Sequence, residues 1–152
     1  MNVELTRGLQ ILTDAFGAQM SPVFVAPWNR FPVELEPLLF ASGYRGLSCA
    51  VSSGVGPDPA STVAGLRRAD CHLSIVGRNG TSRLIDLQSA AQRLAKRIKA
   101  GDAGPFGLIT HHRQHDDDVW AFCEMFWDLI LRHDRSATRM PSSVFGIPQS
   151  AA

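Results

Sequence analysis

Four short apolar runs constrain this chain more than any other feature: 22–26 (PVFVA), 46–51 (GLSCAV), 71–76 (CHLSIV) and 105–110 (PFGLIT). Each has the length and residue type of a strand. Helical periodicity lies around and between them. Leu5, Leu9, Leu12 and Phe16 recur at steps of four, three and four, one face of a helix that Gly17 is placed to end. Pro32 can open a second helix, with Leu35, Leu38 and Leu39 on its apolar side and Gly43 at its end; Pro37 predicts that it is short or kinked. Leu84, Leu87, Ala91, Leu94 and Ile98 mark a third helix, ended near Gly101. Val119, Phe122, Cys123, Phe126 and Ile130 form the buried stripe of a fourth. The Ser-, Gly- and Pro-rich stretch 52–61 and the turn 78–81 read as loops. Strands and helices alternating at this spacing predict an α/β fold with about four mainly parallel strands, right-handed crossovers and flanking helices.

Composition narrows the function classes. Fifteen Lys and Arg against fourteen Asp and Glu leave a net charge of +1, which gives no electrostatic case for nucleic acid or an anionic membrane. No apolar run approaches the ~20 residues of a membrane helix. Glu4 and Thr6 stand where a signal peptide would be uniformly apolar, so the chain as given reads as cytoplasmic. Cys49, Cys71 and Cys123 are odd in number, widely spaced and free of any Cys-x-x-Cys pair, as expected of buried thiols in a reducing compartment. Gly-x-Ser-x-Gly, Gly-x-Gly-x-x-Gly and phosphate-loop patterns are absent.

In parallel α/β folds, functional side chains gather where strands end at their carboxyl side. Trp28, Asn29 and Arg30 follow the first run, and Thr110-His111-His112 close the fourth. His111 and His112 point to opposite faces if the strand continues through them, so one of the two faces a given site. Either suits acid–base work, because histidine titrates near neutral pH. His111, His112, His115 and Asp116 are also metal-ligand types, but an acidic cluster opening a helix needs no metal. Arg30 can orient a carboxylate. Trp28 can stack on a sugar ring, although its spacing alone favours core packing. Asp70 and His72 alternate about Cys71 and face the same way; they can form a hydrogen-bonded pair or simply mark a strand start.

Val23-Phe24-Val25-Ala26-Pro27-Trp28-Asn29-Arg30, Gly43-Tyr44-Arg45-Gly46-Leu47-Ser48 and Gly107-Leu108-Ile109-Thr110-His111-His112, followed by His115-Asp116 and Trp120-Ala121-Phe122, resemble segments of a bacterial branch of polysaccharide deacetylase-like proteins. The similarity spans about residues 5 to 146. It implies an incomplete irregular (β/α) barrel over residues 1–134, with 135–152 a tail of little structure in which Val144-Phe145-Gly146 can dock. It implies metal-dependent hydrolysis of N-acetyl groups on a carbohydrate as the parent activity. By position, His111 (or His112) matches the late histidine that protonates the leaving amine, and Arg30 the arginine that orients the catalytic base. Trp28, with Asn29 and His72, would bind substrate. The family's divalent metal, often zinc, is held by an Asp and two His that precede the Pro-Trp-Asn-Arg segment. Residues 1–26 contain Asp14 alone and no histidine. The expectation is therefore no metal in this chain, a truncated or inactive form, and exposed sheet edges covered by a second copy or a partner. Two alternatives are a non-catalytic binding or assembly module and a separate metal-dependent hydrolase built on His111, His112, His115 and Asp116.

Overall fold

The computed structural model describes residues 2–50, 60–75, 87–101, 104–111, 113, 115–132 and 138–148. These divide into two compact units. The first gathers residues up to Ala50 with Ala60–Asp70 and Met140–Pro148; the second gathers the described residues from Cys71 to Arg139.

In the first unit, helix α1 (Asn2–Phe16) ends at Gly17, which turns the chain with φ 53°. Leu5 and Leu9 pack on the core, and the Tyr44 hydroxyl donates to the Leu5 carbonyl at 3.3 Å. The expected stripe is covered for only two turns, because Leu12 and Phe16 are exposed. Strands β1 (Val23–Val25), β2 (Gly46–Ser48) and β3 (Arg67–Arg68) form a parallel sheet in that order. Pro32 precedes a 3-10 turn, Val33–Leu35, which leads into helix α2 (Glu36–Ala41). Pro37 thus falls in the first turn of α2, where its missing N–H costs nothing. Ala26, Leu39, Tyr44, Leu47, Cys49 and Leu66 form the core, with Phe24 edge-on to both Phe31 and Tyr44.

The second unit holds strands β4 (Cys71–Ser74) and β5 (Gly107–Ile109), paired in parallel with an irregularity between Cys71 and Leu73. Helix α3 (Leu87–Lys99) is turned from the expected face: Ala90 and Arg97 are buried, while Ala91 and Ile98 are exposed. The cause is Arg97, whose stem packs inward so that its guanidinium can donate to the Pro105 carbonyl at 3.1 Å. Helix α4 (Asp117–Arg132) buries Val119, Phe122 and Cys123 and half-buries Phe126 and Ile130, the stripe expected from sequence. Burial raises the pKa of the Cys123 thiol, keeping it protonated and inert.

Helix α5 (Pro141–Phe145) belongs to the first unit. Its Phe145 lies on Gly46 so closely that a Cβ there would stand 2.6 Å from the ring and 2.9 Å from Val23. Gly146 adopts φ 59° under the Arg67 guanidinium. Val23, Gly46 and Arg67 are register partners that open β1, β2 and β3, so this segment is pinned at the amino ends of the strands. The carboxyl ends lie on the other side of the sheet register. None of the three cysteines forms a disulfide. Among the described residues no helix is long and apolar enough to cross a membrane. The stretches 51–59 and 76–86, with Leu84, and residue His112 lie outside the described residues.

Candidate functional site

At the end of β1 the chain makes an unusual turn. Ala26 is buried and its N–H donates to the Ser48 carbonyl at 3.1 Å. Pro27–Asn29 then form a 3-10 turn in which Trp28 (φ 57°, ψ 16°) and Asn29 (φ 57°) are both left-handed. For Trp28 this costs about 1–2 kcal/mol, whereas asparagine tolerates the region. The turn is held by Asn29 N–H to the Ala26 carbonyl at 2.8 Å, and by Ala50 N–H to the Asn29 carbonyl at 2.9 Å. Its outcome is that Trp28 stands 92% exposed, the reverse of the core packing its spacing favours. Arg30 beside it is exposed.

Beneath the strand ends lies a buried ionic frame. The Arg68 side chain at the end of β3 grips Asp70: Nε donates to both carboxylate oxygens at 3.1 and 3.0 Å, and Nη2 lies 2.9 Å from Oδ2. Asp70 Oδ1 also accepts the Cys49 N–H at 2.9 Å, tying the ends of β2 and β3 together. Arg68 Nη1 lies 3.6 Å from Oε1 of Glu36, a carboxylate with no exposed surface. Glu36 Oε2 accepts three bonds: Ser61 Oγ at 2.9 Å, Thr62 N–H at 2.8 Å and Thr62 Oγ1 at 2.9 Å. Its Oε1 has no hydrogen-bond partner among the described residues. Burial alone would raise the Glu36 pKa; the Thr62 and Ser61 bonds and the Arg68 charge outweigh it and hold the carboxyl below its ordinary value. Burial likewise works against the Arg68 charge, and the Asp70 bonds, with the charges of Asp70, Cys49 and Glu36, hold its pKa above the ordinary value.

In the second unit, His72 is buried in β4 and stacked on Phe106 with centroids 5.5 Å apart. Its Nδ1 accepts the Gly107 N–H at 2.9 Å, so the imidazole stands in for a carbonyl where the ladder with β5 is irregular. His111 is exposed two residues past β5. His115 is half-buried against Trp120, with centroids 4.5 Å apart, and neither ring nitrogen has a hydrogen-bond partner among the described residues. Asp116 Oδ1 accepts the Val119 N–H at 2.9 Å and so caps α4.

Trp28, Asn29 and Arg30 therefore share one turn of the first unit, while His72 and His111 belong to the second. Glu36 and Arg68 carry no sequence signal of their own. Glu36 sits in a Pro-flanked helix start, and Arg67-Arg68 reads as solvent-facing charge rather than strand. A surface hollow on α1, lined by Val3, Thr6, Arg7 and Gln10, offers no histidine, cysteine or carboxylate. Compared with known proteins, the chain matches no family model, no curated protein and no solved structure.

Proposed function

We propose that this chain recognises N-acetylated carbohydrate through the turn at the end of β1, as a member of the polysaccharide deacetylase-like family built on part of an irregular (β/α) barrel. The observation that carries this reading is Trp28, held almost fully exposed in a costly left-handed conformation. Backbone strain that the surrounding bonds enforce collects at ligand sites. An indole face presented this way matches the apolar face of a pyranose, and Arg30 next to it offers hydroxyl- and carbonyl-binding donors.

Hydrolysis in such a family rests on a divalent metal, and the described residues do not fit one. No three His, Cys, Asp or Glu side chains gather among them. The two buried carboxylates of the first unit are already bound to Arg68, which a cation would have to displace. We therefore derive recognition, and no hydrolytic step, from this chain. His111 is the residue we assign to the leaving amine of the parent reaction, on its place after a parallel strand.

The test is calorimetric titration of the full chain with N-acetylglucosamine oligomers beside the Trp28→Ala variant. Saturable binding that weakens tenfold or more in the variant supports the reading. Equal binding by both chains, or none by either, would overturn it.

A further inference from the structure

The parallel ladder between β2 and β3 ends on a side chain. Arg67 N–H donates to the Arg45 carbonyl at 3.0 Å, and Ala69 N–H to the Leu47 carbonyl at 3.1 Å. Bonds in a parallel pair recur on every second residue of a strand, so the next donor on β2 is Cys49. Its N–H goes to Oδ1 of Asp70 at 2.9 Å. A carboxylate thus serves where a strand carbonyl ordinarily would. Asp70 is 2% exposed, so water does not compete for that bond. Arg68 fixes the orientation of the carboxylate through contacts to both oxygens, and Glu36 stands behind Arg68 at 3.6 Å.

The residues on either side of Cys49 face the other way along the ladder, toward β1. The Ser48 carbonyl accepts the Ala26 N–H at 3.1 Å, and the Ala50 N–H donates to the Asn29 carbonyl at 2.9 Å. Three consecutive residues at the end of β2 therefore hold Asp70 on one side and the Trp28 turn on the other. The turn needs this support. Trp28 stands at φ 57°, a region disfavoured for a side chain of its type. The bonds from Asn29 N–H to the Ala26 carbonyl and from Arg30 N–H to the Pro27 carbonyl close the turn on itself, whereas those to Ser48 and Ala50 fix it to the sheet.

We infer that Asp70 is a positioning residue for the Trp28 turn. Its carboxylate, gripped by Arg68, locks the Cys49 peptide, and the adjoining Ala50 N–H then holds Asn29, and with it Trp28, in the left-handed conformation. The coupling runs through backbone bonds of one unit and stands whether or not the turn binds sugar. Its consequence for sugar affinity alone rests on the proposed function.

The test is nitrogen–proton NMR of the full chain without ligand, following the Trp28 indole signal and the exchange of the Ala50 amide relative to the Ser42 amide at the end of α2. Asp70→Ala removes the acceptor. Asp70→Asn keeps a side-chain oxygen for the Cys49 N–H and is the rescue. Gly46→Ala is the control, because it loosens the same unit from the opposite end of β2. Asp70→Ala should move the Trp28 signal and speed Ala50 exchange about tenfold or more, as the loss of one bond to a charged acceptor implies. Asp70→Asn should recover most of both, and Gly46→Ala should leave both as in the unaltered chain. Titrated with N-acetylglucosamine oligomers, Asp70→Ala should bind about tenfold more weakly. A Trp28 signal and Ala50 exchange that Asp70→Ala leaves unchanged, or that Gly46→Ala changes equally, would overturn the proposal. If Asp70→Ala unfolds the first unit, exchange in the unaltered chain at low urea decides. Cys49 and Ala50 amides that open together support the coupling, and an Ala50 amide that opens while Cys49 stays protected overturns it. A chain that binds no sugar but shows the Trp28 and Ala50 changes supports the coupling and removes only the sugar reading.

Discussion

Replacing Arg68 by Met removes a cation that serves two buried carboxylates. The methionine keeps most of the apolar stem, so the loss is electrostatic rather than a cavity. Asp70 loses contacts at 2.9, 3.0 and 3.1 Å, and Glu36 loses a charge 3.6 Å away. Both carboxylates have fully buried side chains, and Arg68 is only 14% exposed, so solvent cannot replace what is removed. Breaking a buried pair from one side costs about 3–5 kcal/mol. The exposed pair Arg132–Asp128, at 2.8 Å one turn apart on α4, is the internal control: Arg132→Met should cost no more than about 0.5 kcal/mol. Urea denaturation gives the difference, and exchange of the Cys49 and Thr62 amides confirms that it arises in the first unit. The pH dependence has a definite sign. In the unaltered chain Glu36 is held below its ordinary value of 4.5, so its stabilisation is complete above that pH and fades as pH falls through the lowered value. Without Arg68 the part of that lowering due to its charge is lost while the Thr62 and Ser61 bonds remain, so Glu36 takes up its proton at a higher pH than in the unaltered chain and the deficit should shrink from pH 7 to pH 4. A loss under about 1 kcal/mol, or one that does not shrink on acidification, would refute the ionic frame.

Gly46→Ala should destabilise the first unit by about 1–3 kcal/mol by pushing Phe145 off β2, seen as faster proteolysis after residue 138. His72→Leu should leave the Gly107 N–H unpaired and cost about 1–3 kcal/mol by urea denaturation, without touching sugar binding at Trp28. Trp28→Asn should leave stability unchanged or raise it by up to about 1 kcal/mol, since Asn tolerates the left-handed region, while abolishing carbohydrate binding in calorimetry.

The sequence placed β1, β2, β4 and β5 and the inward stripe of α4, because those segments carry unbroken apolar patterns. It missed β3, since Arg67-Arg68 has no apolar residue to mark it; its identity as a strand comes from pairing with Gly46 and Leu47. It misjudged the face of α3 because a buried arginine does not register in a hydrophobic pattern. Trp28 was legible as a strand-end residue, but its exposure follows from two left-handed backbone angles that no spacing reveals. The Glu36–Arg68–Asp70 frame joins residues up to 34 positions apart, and only the fold brings them into contact.

Exposure of Trp28 in the turn after β1 is what the proposed binding of N-acetylated sugar rests on. The most direct measurement is a nitrogen–proton NMR titration of the full chain with N-acetylglucosamine oligomers, following the indole signals of Trp28, Trp120 and Trp127. Binding there should give saturable shifts of the Trp28 indole together with the Asn29 and Ala50 amides, since the Ala50 N–H donates to the Asn29 carbonyl and fixes the turn. A Trp28 signal that stays still at millimolar sugar would contradict it.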